Sequence, residues 1–220
     1  MKDPAIFRKL LIFGIVANVG AILLLVYGKN EAAQNVSWQP YTSKSLGFSL
    51  TYPSRWTVTE FEEPDVETET KFVCSEETYF SALTSVKANI KANLFRNKPE
   101  RLGKPLIVAC HETVLADMPR KLKSFTQLNT TEMKVGSPQE PQEAVGTYFE
   151  FSMRRGLMMR KMKGMIVSTW NGNKHIALAF VCPDREYENT LPLFETFLES
   201  YKPGRILERQ SGERMGDILR

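Results

Sequence analysis

Three cysteines and two histidines are the residues best suited to nucleophilic or metal chemistry: Cys74, Cys110, Cys182, His111 and His175. A thiolate or serine nucleophile needs a base such as histidine beside it, and a zinc site needs three or four ligands. The sequence has no CxxC pair, no second histidine at ligand spacing and no GxSxG turn. We therefore expect no catalytic residue, no cofactor and no metal ion.

The cysteines leave several interpretations open. An odd number leaves at least one thiol free, and one disulfide between any two of Cys74, Cys110 and Cys182 is compatible with the sequence. Alternatively, all three are small buried apolar side chains. Cys110 precedes His111 directly, but neighbouring side chains on a strand point apart. Cys110 or a serine that lies against His111 or His175 in the folded chain would reopen a hydrolase hypothesis.

An acidic segment runs from Glu62 to Glu69 and contains Pro64, which predicts a loop. Several carboxylates close together could bind calcium, but the spacing and the turn glycine of an EF-hand are absent. We therefore do not expect a calcium site.

Basic residues crowd one predicted hairpin: Arg154, Arg155, Arg160, Lys161 and Lys163. Such a patch would suit an acidic protein surface or anionic lipid head groups, where each basic residue contributes about 1 kcal/mol. The alternative is an ordinary solvated face of a hairpin. The net charge of the chain is only +4, without the basic stripe of nucleic-acid-binding domains, so we expect no nucleic-acid partner.

An uncharged run from Leu10 to Tyr27 predicts a membrane anchor. Its 18 residues would form about 27 Å of helix, close to the roughly 30 Å of a bilayer core. Lys2, Arg8 and Lys9 precede the run, which predicts a cytoplasmic N-terminus and a periplasmic or lumenal domain. A cleavable signal peptide is the alternative, but its apolar region is usually about 7–15 residues and ends at a small-x-small site.

One face of this predicted anchor carries small residues and an amide: Gly14, Ala17, Asn18 and Ala21. Small residues let transmembrane helices approach closely, and an amide in lipid seeks a hydrogen-bond partner. The face could therefore dock against another transmembrane helix. Alternatively, it reflects ordinary composition, with Asn18 bonded to its own helix.

Composition divides the chain into four parts: an anchor at 1–30, a linker at 31–45, a folded domain at 46–202 and a polar tail at 203–220. The middle part is long enough for one hydrophobic core. Alternating residues predict strands, which we place at 47–52, 56–61, 144–151, 158–170 and 175–182. The first two strands read as a hairpin, and Asn171-Gly172 is the strongest hairpin turn.

The remaining elements are predicted from apolar spacing. Ser81–Leu94 fits both periods, and we favour a strand; the segment from Leu115 to Phe125 looks helical. A final amphipathic helix follows, with one apolar face formed by Tyr187, Leu191, Phe194, Leu198 and Tyr201. Together these elements predict an α+β fold, a central antiparallel sheet flanked by helices.

Two segments resemble PsbP-like domains. Gly47-Phe48-Ser49-Leu50-Thr51-Tyr52-Pro53-Ser54-Arg55-Trp56-Thr57-Val58 is similar to the family's opening strand, Tyr-Pro turn, tryptophan and second strand. Lys163–Tyr201 resembles its closing hairpin and aromatic helix. The resemblance implies a Mog1/PsbP-like α/β/α sandwich over about 46–202, here preceded by a single transmembrane helix.

Members of this family are mostly non-catalytic extrinsic subunits or assembly helpers of photosynthetic complexes, or envelope proteins. The resemblance therefore implies a membrane-anchored accessory subunit of an integral membrane protein complex. The alternative is an envelope ligand-binding, stress or assembly module. No catalytic or metal-binding residue carries over, because the matching positions are structural.

Overall fold

The fold is known from a computed structural model that describes residues 36–63 and 67–204. Its strands are β1 (Trp38–Thr42), β2 (Ser49–Pro53), β3 (Thr57–Glu63), β4 (Glu67–Val73), β5 (Tyr79–Leu83), β6 (Lys123–Val135), β7 (Gln142–Arg155), β8 (Met158–Asn171) and β9 (Lys174–Pro183). Its α-helices are α1 (Val86–Phe95), α2 (Leu106–Lys121) and α3 (Tyr187–Glu199).

Seven strands form one antiparallel sheet in the order β3-β4-β5-β9-β8-β7-β6. β1 and β2 pair with each other in a separate two-stranded ribbon. Helices cover both faces of the large sheet, α3 and the ribbon on one side and α1 and α2 on the other. The predicted α+β fold with a large antiparallel sheet and flanking helices is confirmed.

Strands β7, β8 and β9 form a continuous antiparallel meander within the sheet. Its two turns contain Gly156 (φ +59°) and Gly172 (φ +56°). Glycine adopts this left-handed conformation without the steric cost of a Cβ atom. The three predicted strands and the turn at Asn171-Gly172 are therefore confirmed.

The α3 face is filled by aromatic side chains. Phe72, Phe80, Phe180, Phe194 and Phe197 are fully buried there. Their rings meet at tilted, edge-on or stacked angles, with centroids 4.8–6.3 Å apart. These are favourable geometries for aromatic pairs and account for the predicted apolar face of the final helix.

The helices on the opposite face contribute smaller side chains to the core. Ala88 and Ala92 on α1, together with Cys110 on α2, are completely buried. The Ser85 hydroxyl accepts a hydrogen bond from the Ala88 amide and so caps the start of α1. Because alanine is short, α1 can approach the sheet and α2 closely.

Two predictions about the first half of the domain are wrong. Residues 86–94 of the predicted strand at Ser81–Leu94 belong to α1, and only the start of that segment belongs to β5. The two strands predicted as a hairpin, β2 and β3, lie in different sheets. β2 pairs instead with β1, which forms within the predicted linker at 31–45 because Trp38 and Tyr41 pack against the core.

Two further expectations are corrected. The acidic segment Glu62–Glu69 is not a loop throughout, because β3 extends to Glu63 and β4 begins at Glu67. Cys110 and His111 lie on α2 rather than on a strand. The helix continues past Pro119 into its final residues, where a missing amide donor disrupts little of the helix.

Candidate functional site

A buried imidazole joins α2 to the sheet. His111 Nδ1 lies 2.8 Å from Ser168 Oγ on β8, and Nε2 lies 2.7 Å from Thr147 Oγ1 on β7. The Thr147 hydroxyl also lies 2.7 Å from Thr130 Oγ1 on β6. Both ring nitrogens of His111 therefore have hydroxyl partners, and three adjacent strands are linked to the helix.

The Ser168–His111 pair is the contact that would reopen the hydrolase hypothesis. A serine nucleophile must reach its substrate, yet Ser168 is 0% exposed. The second nitrogen of His111 contacts a threonine hydroxyl rather than the carboxylate that orients the base in a Ser-His-Asp triad. Burial lowers the pKa of His111 to about 4, so the ring is neutral at neutral pH. The geometry suits a satisfied polar cluster in the core.

His175 is buried near this cluster without an equivalent set of partners. Its backbone amide donates to Asn89 Oδ1 at 2.8 Å, and its ring meets Trp170 edge-on at 6.1 Å. Neither ring nitrogen has a hydrogen-bond partner among the described residues. Burial, together with nearby His111, lowers the pKa of His175 to about 3. The neutral ring therefore acts as a buried aromatic side chain.

All three cysteines are free thiols. Cys110 donates to the Ala88 carbonyl at 3.4 Å, and burial raises the pKa values of Cys110 and Cys182 to about 11. Neither is a thiolate at neutral pH, so neither is an activated nucleophile. Cys74 is exposed, which contradicts its interpretation as a buried side chain. Among residues 36–63 and 67–204, no cluster of side chains could hold a metal ion.

The predicted basic patch lies on the β7–β8 hairpin, where most of its members are paired. Arg155 contacts Glu77 at 2.9 Å and Glu76 at 3.2 Å, while Arg160 contacts Glu77 at 2.5 Å. Hydrogen bonding from Arg155 lowers the pKa of the buried Glu77 carboxyl. Lys161 is paired as well, with a carboxylate of β7.

The two other members differ in their partners. Lys163 contacts Asp184 at 2.7 Å, and Arg154 donates its Nε hydrogen to the Gly156 carbonyl. The hairpin thus brings all five predicted residues together, but as part of a charge network rather than as a uniformly positive surface. Partner binding by these residues stays a prediction.

The fold exposes two apolar surfaces. One is the outer face of α1, where Val86, Ile90 and Leu94 are exposed. The other is the tip of the β7–β8 hairpin, residues 154–160, where Leu157 and Met158 are exposed. The i, i+4, i+8 spacing could have identified the first, but it does not say which face of a helix is buried.

A groove of about 600 Å³ separates α2 from the edge strand β6. Its lining combines apolar side chains with polar ones, among them Leu115, Phe125, Gln127 and Thr130. His111 also borders it, so the buried hydroxyl cluster reaches the groove wall at Thr130. The groove has the size of a small-molecule site.

The predicted anchor and its docking face, Gly14, Ala17, Asn18 and Ala21, lie outside the described residues. Within the described ranges, none of the helices combines the length and the apolar character needed to cross a bilayer.

The chain is similar to several proteins of known structure. No family model matches the chain, and no curated protein matches it. The solution structure of cyanobacterial PsbP (CyanoP) from Synechocystis sp. PCC 6803 has 15% identity and a TM-score of 0.43, and the match covers 76% of this chain and 93% of CyanoP.

Two other solved structures are similar. LpqN of Mycobacterium tuberculosis, described as involved in cell envelope biogenesis, has 13% identity and a TM-score of 0.35, covering 76% of this chain and 91% of LpqN. A Pseudomonas aeruginosa protein of unknown function has 13% identity and a TM-score of 0.36, covering 71% and 90%. The PsbP-like resemblance seen in the sequence is thus matched, among solved structures, by a PsbP protein.

Proposed function

We propose that this chain is a non-catalytic accessory subunit of a larger integral membrane protein complex. The segment from Leu10 to Tyr27 anchors it in the bilayer, with its N-terminus in the cytoplasm and its folded domain on the extracytoplasmic side. The anchor face containing Gly14 and Asn18 contacts a helix of the complex. The observation that supports docking most directly is the outer face of α1.

That face places large aliphatic side chains where a water-exposed helix normally carries polar ones. Val86, Ile90 and Leu94 are 41%, 54% and 69% exposed, at i, i+4 and i+8. Ala88 and Ala92 occupy the opposite, buried side of the same helix. A contiguous apolar stripe on a surface is typical of an interaction site, and this spacing fits the groove of a partner protein.

Charges beside the stripe are already satisfied within the domain. Lys87 Nζ contacts both carboxylate oxygens of Asp117, at 2.8 and 2.9 Å. Lys91 Nζ donates to the Ala109 carbonyl at 3.3 Å. Contact through the stripe would therefore be mainly apolar, with little need to find new partners for these lysines.

A non-catalytic role is supported by the inaccessibility of the one serine–histidine contact described above. Ser168 and His111 are both buried, and the thiols of Cys110 and Cys182 are protonated at neutral pH. The resemblance of residues 47–58 to PsbP-like domains makes a photosynthetic reaction-centre complex the first partner to test.

Extraction of native membranes with a mild detergent, followed by size analysis, tests the proposal. We expect the chain in a large complex, and pigments in the same fraction would identify the complex as photosynthetic. Ile90→Asp should release the domain from the complex, whereas Leu128→Asp, at a similarly exposed leucine on β6, should not. A lone monomer from unsubstituted membranes would contradict the proposal.

A second candidate function is ligand binding by an envelope or assembly module, favoured by the groove between α2 and β6. A ligand there would meet Thr130 and apolar side chains of α2. A thermal-shift screen of the full chain tests it, because a ligand that binds only the folded state raises the melting temperature. Thr130→Val should remove the shift of a hydrogen-bonding ligand.

A further inference from the structure

The tip of the β7–β8 hairpin exposes apolar side chains to an unusual degree. Leu157 is 96% exposed, Met158 65% and Met159 48%. Gly156 forms the turn before them. Such consecutive exposed apolar residues indicate a surface that contacts something other than water.

The tip extends beyond the ends of the neighbouring strands β9 and β6. β9 ends at Pro183, which pairs with Met162 on β8. The four outermost residue pairs of β7 and β8, from Ser152–Lys161 to Arg155–Met158, lie past that point. At about 3.3 Å per residue, the tip stands roughly 13 Å beyond the end of β9.

The described chain begins at this same end of the sheet. The Ser54 amide donates to the Ser37 carbonyl at 2.8 Å, three residues before β3 starts at Thr57. Thr57 pairs with Val73, directly before the turn that carries Glu76 and Glu77. That turn forms the ion pairs with Arg155 and Arg160. A chain coming from an N-terminal anchor therefore reaches the domain at the tip end.

Charge at the tip is nearly balanced. Its basic side chains are Arg154, Arg155 and Arg160, and the last two form ion pairs with the carboxylates of Glu76 and Glu77. The surplus is one positive charge, so attraction to anionic head groups contributes little. Leucine and methionine at the apex would instead gain from transfer into the apolar part of a bilayer interface.

We infer that the tip of the β7–β8 hairpin inserts Leu157 and Met158 into the bilayer interface and so fixes how the domain stands on the membrane. The inference rests on the proposed anchor, which holds the domain at a bilayer. The outer face of α1, on a side of the sandwich rather than at this end, remains open to a protein partner.

Tryptophan quenching by brominated lipids tests the insertion in the full chain, reconstituted in phosphatidylcholine vesicles. Leu157→Trp places a reporter at the tip, and Lys174→Trp places one at the start of β9, beside the turn at the opposite end of β8. The unsubstituted chain supplies the background from its three native tryptophans. We expect at least twofold stronger quenching of the added fluorescence for L157W than for K174W. Adding phosphatidylserine should change this ratio little.

Flotation of the unsubstituted chain with the vesicles separates the possible failures. If the chain floats but L157W is quenched no more than K174W, lipid contact by the tip is overturned and the anchor stands. If the chain does not float, the anchor and the tip contact are both overturned. Met158→Trp provides an independent reporter if the first variant fails to fold.

Discussion

The sheet face under α3 is filled by interlocking aromatic rings, whereas the face under α1 and α2 combines alanines and two buried histidines with fewer buried aromatic rings, those of Phe149 and Phe151. On the aromatic side, the large apolar side chains of the helix point inward. On the other side, α1 buries Ala88 and Ala92 and exposes its larger residues. We therefore expect the aromatic face to contribute most to the stability of the fold. The other face adds a buried polar cluster, and its helix α1 carries an outer surface available for contact.

Removal of a central ring should have the largest effect. Phe80 is fully buried and contacts Trp56, Phe180, Phe194 and Phe197. Phe80→Ala should lower the free energy of unfolding by about 3–5 kcal/mol, through lost burial and the cavity left behind. Urea unfolding of the detergent-solubilised full chain measures it. A loss below about 1 kcal/mol would mean that the aromatic face is not the main stabilising region.

The next largest effect is expected from acid, which should lower the free energy of unfolding through His111 and His175. The pKa values of His111 and His175 are lowered in the folded chain to about 4 and about 3, so the unfolded chain binds protons first as the pH falls. Their stabilising contribution is complete above about pH 6.5 and is lost as the pH falls towards those values. Between pH 7.5 and 5 the loss should be about 2 kcal/mol per histidine.

His175→Phe provides the control for this pH dependence. The substitution keeps an aromatic ring beside Trp170 and removes one of the two titrating groups. Urea unfolding at pH 7.5 and 5 should show roughly half the pH-dependent loss in the variant. An unchanged dependence would assign the acid sensitivity to other groups.

Loss of a buried hydroxyl should have a smaller effect. Thr147→Val keeps the shape of the side chain but leaves His111 Nε2 without its partner at 2.7 Å. We expect a loss of about 1–3 kcal/mol in the free energy of unfolding. Thr130→Val, at the exposed end of the same cluster, should cost less. Equal costs would show that the imidazole contact has no special importance.

The smallest effect is expected on the outside of α1. Ile90→Ser should change the free energy of unfolding by no more than about 0.5 kcal/mol, because the side chain is more than half exposed. Ala92→Leu, on the buried side of the same helix, should cost about 1–3 kcal/mol by overpacking. Reversed results in urea unfolding would mean that α1 buries Ile90 and exposes Ala92.

The sequence by itself determined the part of the domain from β7 to α3. The patterns that predict it are local: the alternation in β7, β8 and β9, the Asn171-Gly172 turn and the aromatic spacing of α3. Strand β7 pairs with β8, and β8 pairs with β9, so the paired residues are close in the sequence. These features, with the two PsbP-like segments, were sufficient to predict an antiparallel sheet flanked by helices.

Only the tertiary structure decided the buried side of α1, the separation of β2 from β3 and the contacts of His111. Periodicity reports that a helix has an apolar face, but burial of the alanine face depends on how closely α2 and β9 approach. Ser168 lies 57 residues from His111 in the sequence, and no local pattern links positions so far apart. Their contact exists because α2 packs across strands that pair through the folding of the whole sheet.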